Sequence, residues 1–430
     1  MFPSSPDTGG LAKNTSYKVV LPFYIYAALS FLVATFLLLF SSSAFVQNYF
    51  HPQTFAITHV MALGWGTMII LGASHQLVPV LIEGKLYSNL LAYLSFVLAA
   101  LGIPLLVYGF YNFYFGWEAE WGAIFINAAV IFYLINIAIS MIKSKKENVH
   151  AVFVFTATLW LLITTIVGLF LIFNFTHNLL SGDSLAYLPL HAHLGIIGWF
   201  LLLVIGVGSR LIPLFLISKY DNKKLLWWIY TLINIGLIIF LINFLYVEID
   251  WLYFLPVATI FISLLMFGYY CYKAYLYRLR KRVDVQLKIS LLSVLMMLLP
   301  VAFLLIIISL LLFSVNNSRL ILTYGFCIFF GWITAIILGM TFKTLPFILW
   351  NNAYHNKAGL GKTPNPRELF NNKIFKLIAI AYLAGFILFG SGILMVNQIL
   401  LKISALFLFV SAILYNGNVF KMVIHKPKEV

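Results

Sequence analysis

Twelve apolar runs, each long enough to cross a bilayer as a helix, dominate this sequence. They lie near residues 19–43, 54–80, 86–113, 119–142, 150–175, 187–217, 225–247, 251–276, 285–313, 319–350, 373–396 and 399–422. About 20 helical residues span roughly 30 Å of hydrocarbon. A helix also satisfies its own backbone hydrogen bonds where no water can do so. A transmembrane β-barrel would show short alternating strands, which these runs are not. The expectation is an all-α membrane protein whose single transmembrane domain covers residues 1–430. Composition excludes the soluble alternative: charged residues are only 9% of the chain and hydrophobic residues 63%, against about 25% charged in a soluble domain. Residues 1–18 are polar and the first run is too long for a signal h-region, so no cleavable signal peptide is expected. Cys271 and Cys327 fall in different helices, which argues against a disulfide, and no thiol metal motif is present.

The formal charge of +15 raises the question of a nucleic-acid partner. The position of the basic residues answers it. Of 27 Lys and Arg, only Arg319 and Lys402 fall in odd-numbered connections, leaving 25 on the side of the two termini. That asymmetry is the positive-inside signature. It predicts a multi-pass protein of a bacterial or archaeal cytoplasmic membrane with both termini in the cytoplasm, lipid as its immediate partner and no nucleic acid. The longest connection, 351–372, is polar. Its Gly359-Leu360-Gly361-Lys362-Thr363 segment has Asn356 where a phosphate loop needs its first glycine, and no strand precedes it, so it carries no weight.

A repeat organises the chain. The pattern H-x4-G-W-x6-G-x6-P occurs as His59, Gly64, Trp65, Gly72, Pro79 in the second run and as His193, Gly198, Trp199, Gly206, Pro213 in the sixth. It recurs in the tenth as Phe326, Gly331, Trp332, Gly339, Pro346. The copies are four helices apart, so the chain divides into three repeats near 19–143, 150–276 and 284–424, and the expected fold is three pseudo-equivalent arcs of four helices. Close helix packing explains the glycines. It does not explain the histidines.

Polar residues within an apolar span are costly and mark function, and a neutral imidazole is the commonest ligand for haem iron, copper and zinc. His59, His191 and His193 are therefore the candidate ligands, lying toward the face away from the termini. His59 and His193 share one repeat position, and a flat cofactor between them is the expected arrangement. His191 and His193 are two residues apart, about 200° on a helix, so His191 is expected to serve a second site. His51 and His177 fall in loops of that same face. His150, His355 and His425 fall in basic connections and read as solvated. His75, about 24 Å further along its helix than His59, reads as a packing residue.

These residues carry a resemblance. Twelve helices in three arcs of four resemble the catalytic subunit I of haem-copper oxidases and nitric oxide reductases. His191 to Pro213, HAHLGIIGWFLLLVIGVGSRLIP, looks like the tenth helix of the C-type oxidases, whose H-x-H pair binds the active-site and low-spin haems. Thr58 to Gly72, THVMALGWGTMIILG, resembles the second helix, which supplies the other low-spin ligand. The pattern is also similar to that of the NnrS family, twelve-helix haem- and copper-containing proteins of the nitric oxide response. The architecture covers the whole chain and the motifs about two helices. The resemblance implies haem b, with copper as a further candidate, and redox or nitric-oxide and gas handling with a quinol, a cytochrome or another membrane subunit as partner.

The departures are specific. The H-x-H pair stands on the sixth helix, one arc early, and the tenth has Tyr324 and Phe326 at the ligand positions. The seventh run holds no histidine for an oxidase-type copper site, and no intramembrane acid marks a proton channel. A working oxygen reductase is not expected, and whether the chain is an enzyme at all stays open. The competing reading is a non-redox membrane carrier or a haem- or metal-handling accessory protein. The absence of mid-membrane charge counts against an ion-coupled carrier.

Overall fold

The computed structural model describes residues 15–144, 148–354 and 363–426. His355 and most of the glycine-rich segment near 359 lie outside them. Among the described residues, twelve helices are long and apolar enough to cross a membrane. We label them α1 (Tyr17–Phe40), α2 (Pro52–Leu81), α3 (Asn89–Asn112), α4 (Trp117–Ile142), α5 (Val149–His177) and α6 (Ser184–Leu216). The second half holds α7 (Lys223–Val247), α8 (Asp250–Leu276), α9 (Val285–Leu311), α10 (Ser318–Tyr354), α11 (Asn372–Met395) and α12 (Gln398–Val423). The chain is an all-α multi-pass membrane protein.

Short polar residues set where the helices begin. Ser88, Asn148, Asn222, Asp284, Asn317, Asn371 and Asn397 each accept a hydrogen bond from a backbone N–H of the first turn that follows. Such caps satisfy donors that a helix start leaves unpaired. Asp284 does more than cap α9. Its carboxylate also pairs with Arg280 at 3.1 Å, Arg367 at 2.8 Å and Lys343, tying two connections to the end of α10.

Burial separates the helices into two sets. The most apolar windows of α2, α6 and α10 are 78% buried, whereas those of the other nine are 28–50% buried. The three helices that carry the repeat motif are thus the inner ones, and the other nine ring them. The ring closes where Asn416 of α12 donates to the Ala28 carbonyl of α1 at 2.8 Å.

The motif glycines seat each inner helix on the first helix of its own arc. A Cβ at Gly72 would lie 2.6 Å from Phe23 of α1, and those at Gly206 and Gly339 would lie closer still to Phe153 of α5 and Ser290 of α9. No larger residue fits there without moving a helix. Across the centre, Trp199 Nε1 of α6 donates to Thr67 Oγ1 of α2 at 3.0 Å. Trp65 Nε1 of α2 donates to Thr334 Oγ1 of α10 at 3.1 Å. In both cases the indole of one arc reaches the residue three positions past the motif's first glycine in another arc. The third such position is Leu201, which cannot accept, so the cycle is open between α10 and α6.

Candidate functional site

The three inner helices widen at one shared place. Val60–Thr67 in α2, Leu194–Leu201 in α6 and Cys327–Ile333 in α10 are π-helical. The residue just before each is the variable motif position: His59, His193 or Phe326. A π stretch inserts a residue into the helical ladder and often marks a functional site. At that position His59 and His193 meet the neighbouring arc, whereas Phe326 packs within its own.

His59 and His193 are held alike. His59 Nδ1 lies 2.8 Å from the Phe55 carbonyl, and His193 Nδ1 lies 2.7 Å from the Pro189 carbonyl, each four residues back on its own helix. His191 Nδ1 lies 3.1 Å from the Thr164 carbonyl of α5. A carbonyl only accepts, so Nδ1 carries the proton in all three rings. Each Nε2 is left as a lone-pair donor, the state in which histidine ligates a metal.

The ring neighbours differ from the expected pairing of His59 with His193. His191, not His193, is in ring contact with His59. Their centroids are 6.3 Å apart and their planes 18° from parallel. His193 instead meets Tyr324 of α10, whose hydroxyl lies 3.2 Å from Nε2. With Nδ1 protonated, Tyr324 is the donor in that bond. The reason is the step between neighbouring arcs. Position zero of one arc faces the residue two places earlier in the next, so His59 faces His191 and His193 faces Tyr324. His191 has its ring contact with His59 and His193 has its own with Tyr324, although all three histidines line the same cavity.

His59, His191 and His193 all line one cavity of about 410 Å³, bounded by α2, α3 and α4 of the first arc and by α5 and α6 of the second, with α9 and α10 closing the side. Its wall is apolar apart from these rings and a few hydroxyls and amides. Two polar atoms in it, Thr54 Oγ1 and Asn127 Oδ1, are buried with no partner in the protein. Phe110 stacks on His59 at 4.3 Å. Gly168 makes room for His191: a Cβ there would come within 2.8 Å of its Cε1. Gly168 and Thr164 stand one turn apart on α5. Nothing in the sequence singles them out, because a glycine and a threonine in an apolar run are ordinary packing residues.

The remaining histidines sort differently. His150, expected to be solvated, is 6% exposed. Its Nδ1 lies 2.9 Å from Ser209 Oγ and 3.1 Å from the Gly206 carbonyl, because α5 begins at Val149 and carries it inside. His75 is fully buried between Phe23 and Tyr133, with centroids 5.3 Å away in each case. His425 meets the Tyr354 hydroxyl at 2.8 Å. His177 is exposed and lies 3.7 Å from Glu120. Both cysteines are free and buried.

The donor set speaks to the kind of group that fits. Among the described residues no three His, Cys, Asp or Glu side chains converge. A zinc or copper ion held by protein alone asks for three or four such donors. A haem brings four nitrogens of its own and asks the protein for one or two axial ligands. Two imidazoles on one metal atom, each at about 2 Å, have centroids roughly 6 Å apart once the ring radii are added. The His59–His191 pair has that spacing, so the residues present fit a haem. No protein-family model matches the chain, and no curated protein matches it.

Proposed function

We propose that this chain is a haem-binding protein of a bacterial or archaeal cytoplasmic membrane, with both termini in the cytoplasm. In this reading His59 and His191 would hold haem b in the cavity between the first and second arcs. Its role is redox or gas handling, in the manner of a relative of the haem-copper oxidase catalytic subunit that does not reduce oxygen. The observation that carries the reading is the near-parallel His59–His191 pair, both rings protonated at Nδ1, facing an apolar cavity.

When bound, the haem would supply one-electron chemistry. The chain's own groups do the rest. The Phe55 and Thr164 carbonyls fix the tautomer and direction of the two ligands and raise their basicity. The apolar wall excludes water and would set a low dielectric around a bound haem. Phe326 at the third equivalent position cannot ligate, and its ring stacks with Phe330, Phe386 and Phe389 at 4.7–5.6 Å. That fills the place where a third site would be.

The test is an absorption spectrum of the protein purified after expression with ample haem. A Soret band of low-spin type that is lost or converted in His59→Ala and His191→Ala, with insertion intact, supports the reading. A colourless, haem-free wild type contradicts it.

A further inference from the structure

The α8–α9 connection gathers positive charge at one point. Between Arg278 and Lys288 the chain carries five Lys or Arg and a single acid, Asp284. The fold brings two further cations to that acid from elsewhere. Arg280 at 3.1 Å, Arg367 at 2.8 Å and Lys343 all meet the same carboxylate oxygen, Oδ2. The other oxygen, Oδ1, accepts from the Leu287 N–H at 3.1 Å as the cap of α9. Glu368, the acid next to Arg367, is bonded to Asn365 at 3.1 Å. Three cations thus share one negative charge, and the cluster keeps an excess of two positive charges.

The members of the cluster are held to different degrees. The Lys343 side chain is 9% exposed, and its ammonium lies 5.6 Å from the centroid of the Phe215 ring. Arg280 also donates to the Phe215 carbonyl at 3.2 Å. Arg367 is 54% exposed and uses one nitrogen on Asp284, so its fork of donors faces outward. Like charges held this close repel one another unless an anion offsets them. Beside the cluster lies an apolar patch. The Leu279 N–H donates to the Ile217 carbonyl at 3.1 Å and the Arg280 N–H to that of Leu216 at 3.4 Å, so the α6–α7 and α8–α9 connections run side by side. Leu214, Ile217 and Leu279 are exposed there, at the ends of two membrane-crossing helices. Cations beside exposed aliphatic side chains at the edge of a bilayer complement a phosphate above an acyl chain.

We propose that this cluster is a specific site for the phosphodiester of an anionic phospholipid, in the leaflet on the side of the termini. Arg280 and Arg367 donate to the phosphate oxygens, Lys343 adds charge behind them, and an acyl chain lies along Leu214, Ile217 and Leu279. Guanidinium groups suit this role because their planar fork matches two phosphate oxygens at once, and basic pockets between helices at the membrane edge are where such headgroups bind. A soluble phosphate would present the same oxygens, but it has no use for the apolar patch. Asp284 competes with the lipid for the same donors and keeps them assembled between binding events. The site is separate from the histidine-lined cavity and independent of the haem reading.

The test uses the full chain in a mild detergent, titrated with dioleoylphosphatidylglycerol, with dioleoylphosphatidylcholine or with inorganic phosphate. Native mass spectrometry counts retained lipid, and the thermal midpoint reports folding. The expected result is saturable retention of phosphatidylglycerol, several-fold tighter than phosphatidylcholine and undisturbed by millimolar phosphate. Arg280→Gln and Arg367→Gln should each lower phosphatidylglycerol affinity about fivefold. Asp284→Asn is the sharper variant. Asn caps a helix as well as Asp does, so α9 keeps its start while the three cations lose their competitor. Affinity for phosphatidylglycerol should rise about fivefold, and the lipid should raise the midpoint more than it does in the wild type. A closed ion-pair network without a ligand predicts the reverse, a lower midpoint and no gain in lipid. Equal retention of the two lipids overturns the proposal. So does wild-type affinity in both arginine variants, or Asp284→Asn binding no tighter than the wild type. Displacement of the lipid by inorganic phosphate would assign the cluster to a soluble anion and overturn it as well.

Discussion

His59 and His191 face each other from different inner helices, with ring centroids 6.3 Å apart and planes 18° from parallel. Two different devices hold them there. His59 is held by the Phe55 carbonyl of its own helix, whereas His191 is held by the Thr164 carbonyl of α5. His193, which shares the repeat position of His59, is engaged with Tyr324. Of the H-x-H pair, His193 also lines a second cavity, between the second and third arcs, whereas His191 lines the first alone.

The mutational consequence is an asymmetry within that pair. His191→Ala removes a proposed axial ligand and should convert a low-spin haem to a high-spin one or empty the site. His193→Ala removes a residue bonded to Tyr324 and should leave the low-spin bands in place. Absorption spectra of the two variants, taken side by side at matched protein concentration, check this. The reverse ranking would restore His193 as the ligand.

Gly168 supplies a subtler probe. An added methyl at this position would press on the His191 ring, and the ring can yield only by leaving its hydrogen bond to Thr164. Gly168→Ala should lower haem occupancy several-fold without unfolding the bundle, and Gly168→Val should lower it further. Haem-to-protein ratios after purification read the effect. Gly268, where a Cβ meets nothing within 4 Å, is the control position and should tolerate alanine.

The central hydrogen bonds are expected to contribute stability. Thr334→Val keeps the shape but strands the buried Trp65 N–H, whose residue is 0% exposed. Side-chain hydrogen bonds inside membrane proteins contribute about 0.6–2 kcal/mol, so a fall of a few degrees in thermal midpoint is expected. Thr67→Val, which strands Trp199, should behave alike. A midpoint unchanged in both variants would show that the cycle adds nothing.

Topology has its own test. With 25 of 27 basic residues on the side of the termini, the positive-inside rule predicts a cytoplasmic C-terminus. A cytoplasmic reporter fused there should be active and a periplasmic one silent. Activity of the periplasmic reporter would contradict it.

The helices were legible because burial in lipid writes itself into long apolar runs, and the structure has a helix at every one of the twelve. The inner position of α2, α6 and α10 was implicit in the repeat, since glycines that allow close approach mark helices enclosed on several sides. What the sequence hid was the π stretch after His59 and His193. No residue type signals it, and it changes the direction of every side chain around it. With it went the identity of the ring opposite His59, which belongs to the next arc and to an offset of two residues. His150 was misplaced for a plainer reason. Nearby lysines suggested a loop, but Asn148 caps α5 at that point and draws the histidine into the bundle.

The most direct measurement is the spectrum of the wild-type protein, purified in mild detergent after expression with added haem precursor, together with its metal content. The account predicts one haem b per chain with low-spin Soret and visible bands, lost or converted on His59→Ala and on His191→Ala alike. A folded, correctly inserted wild type that carries no haem under these conditions would contradict it.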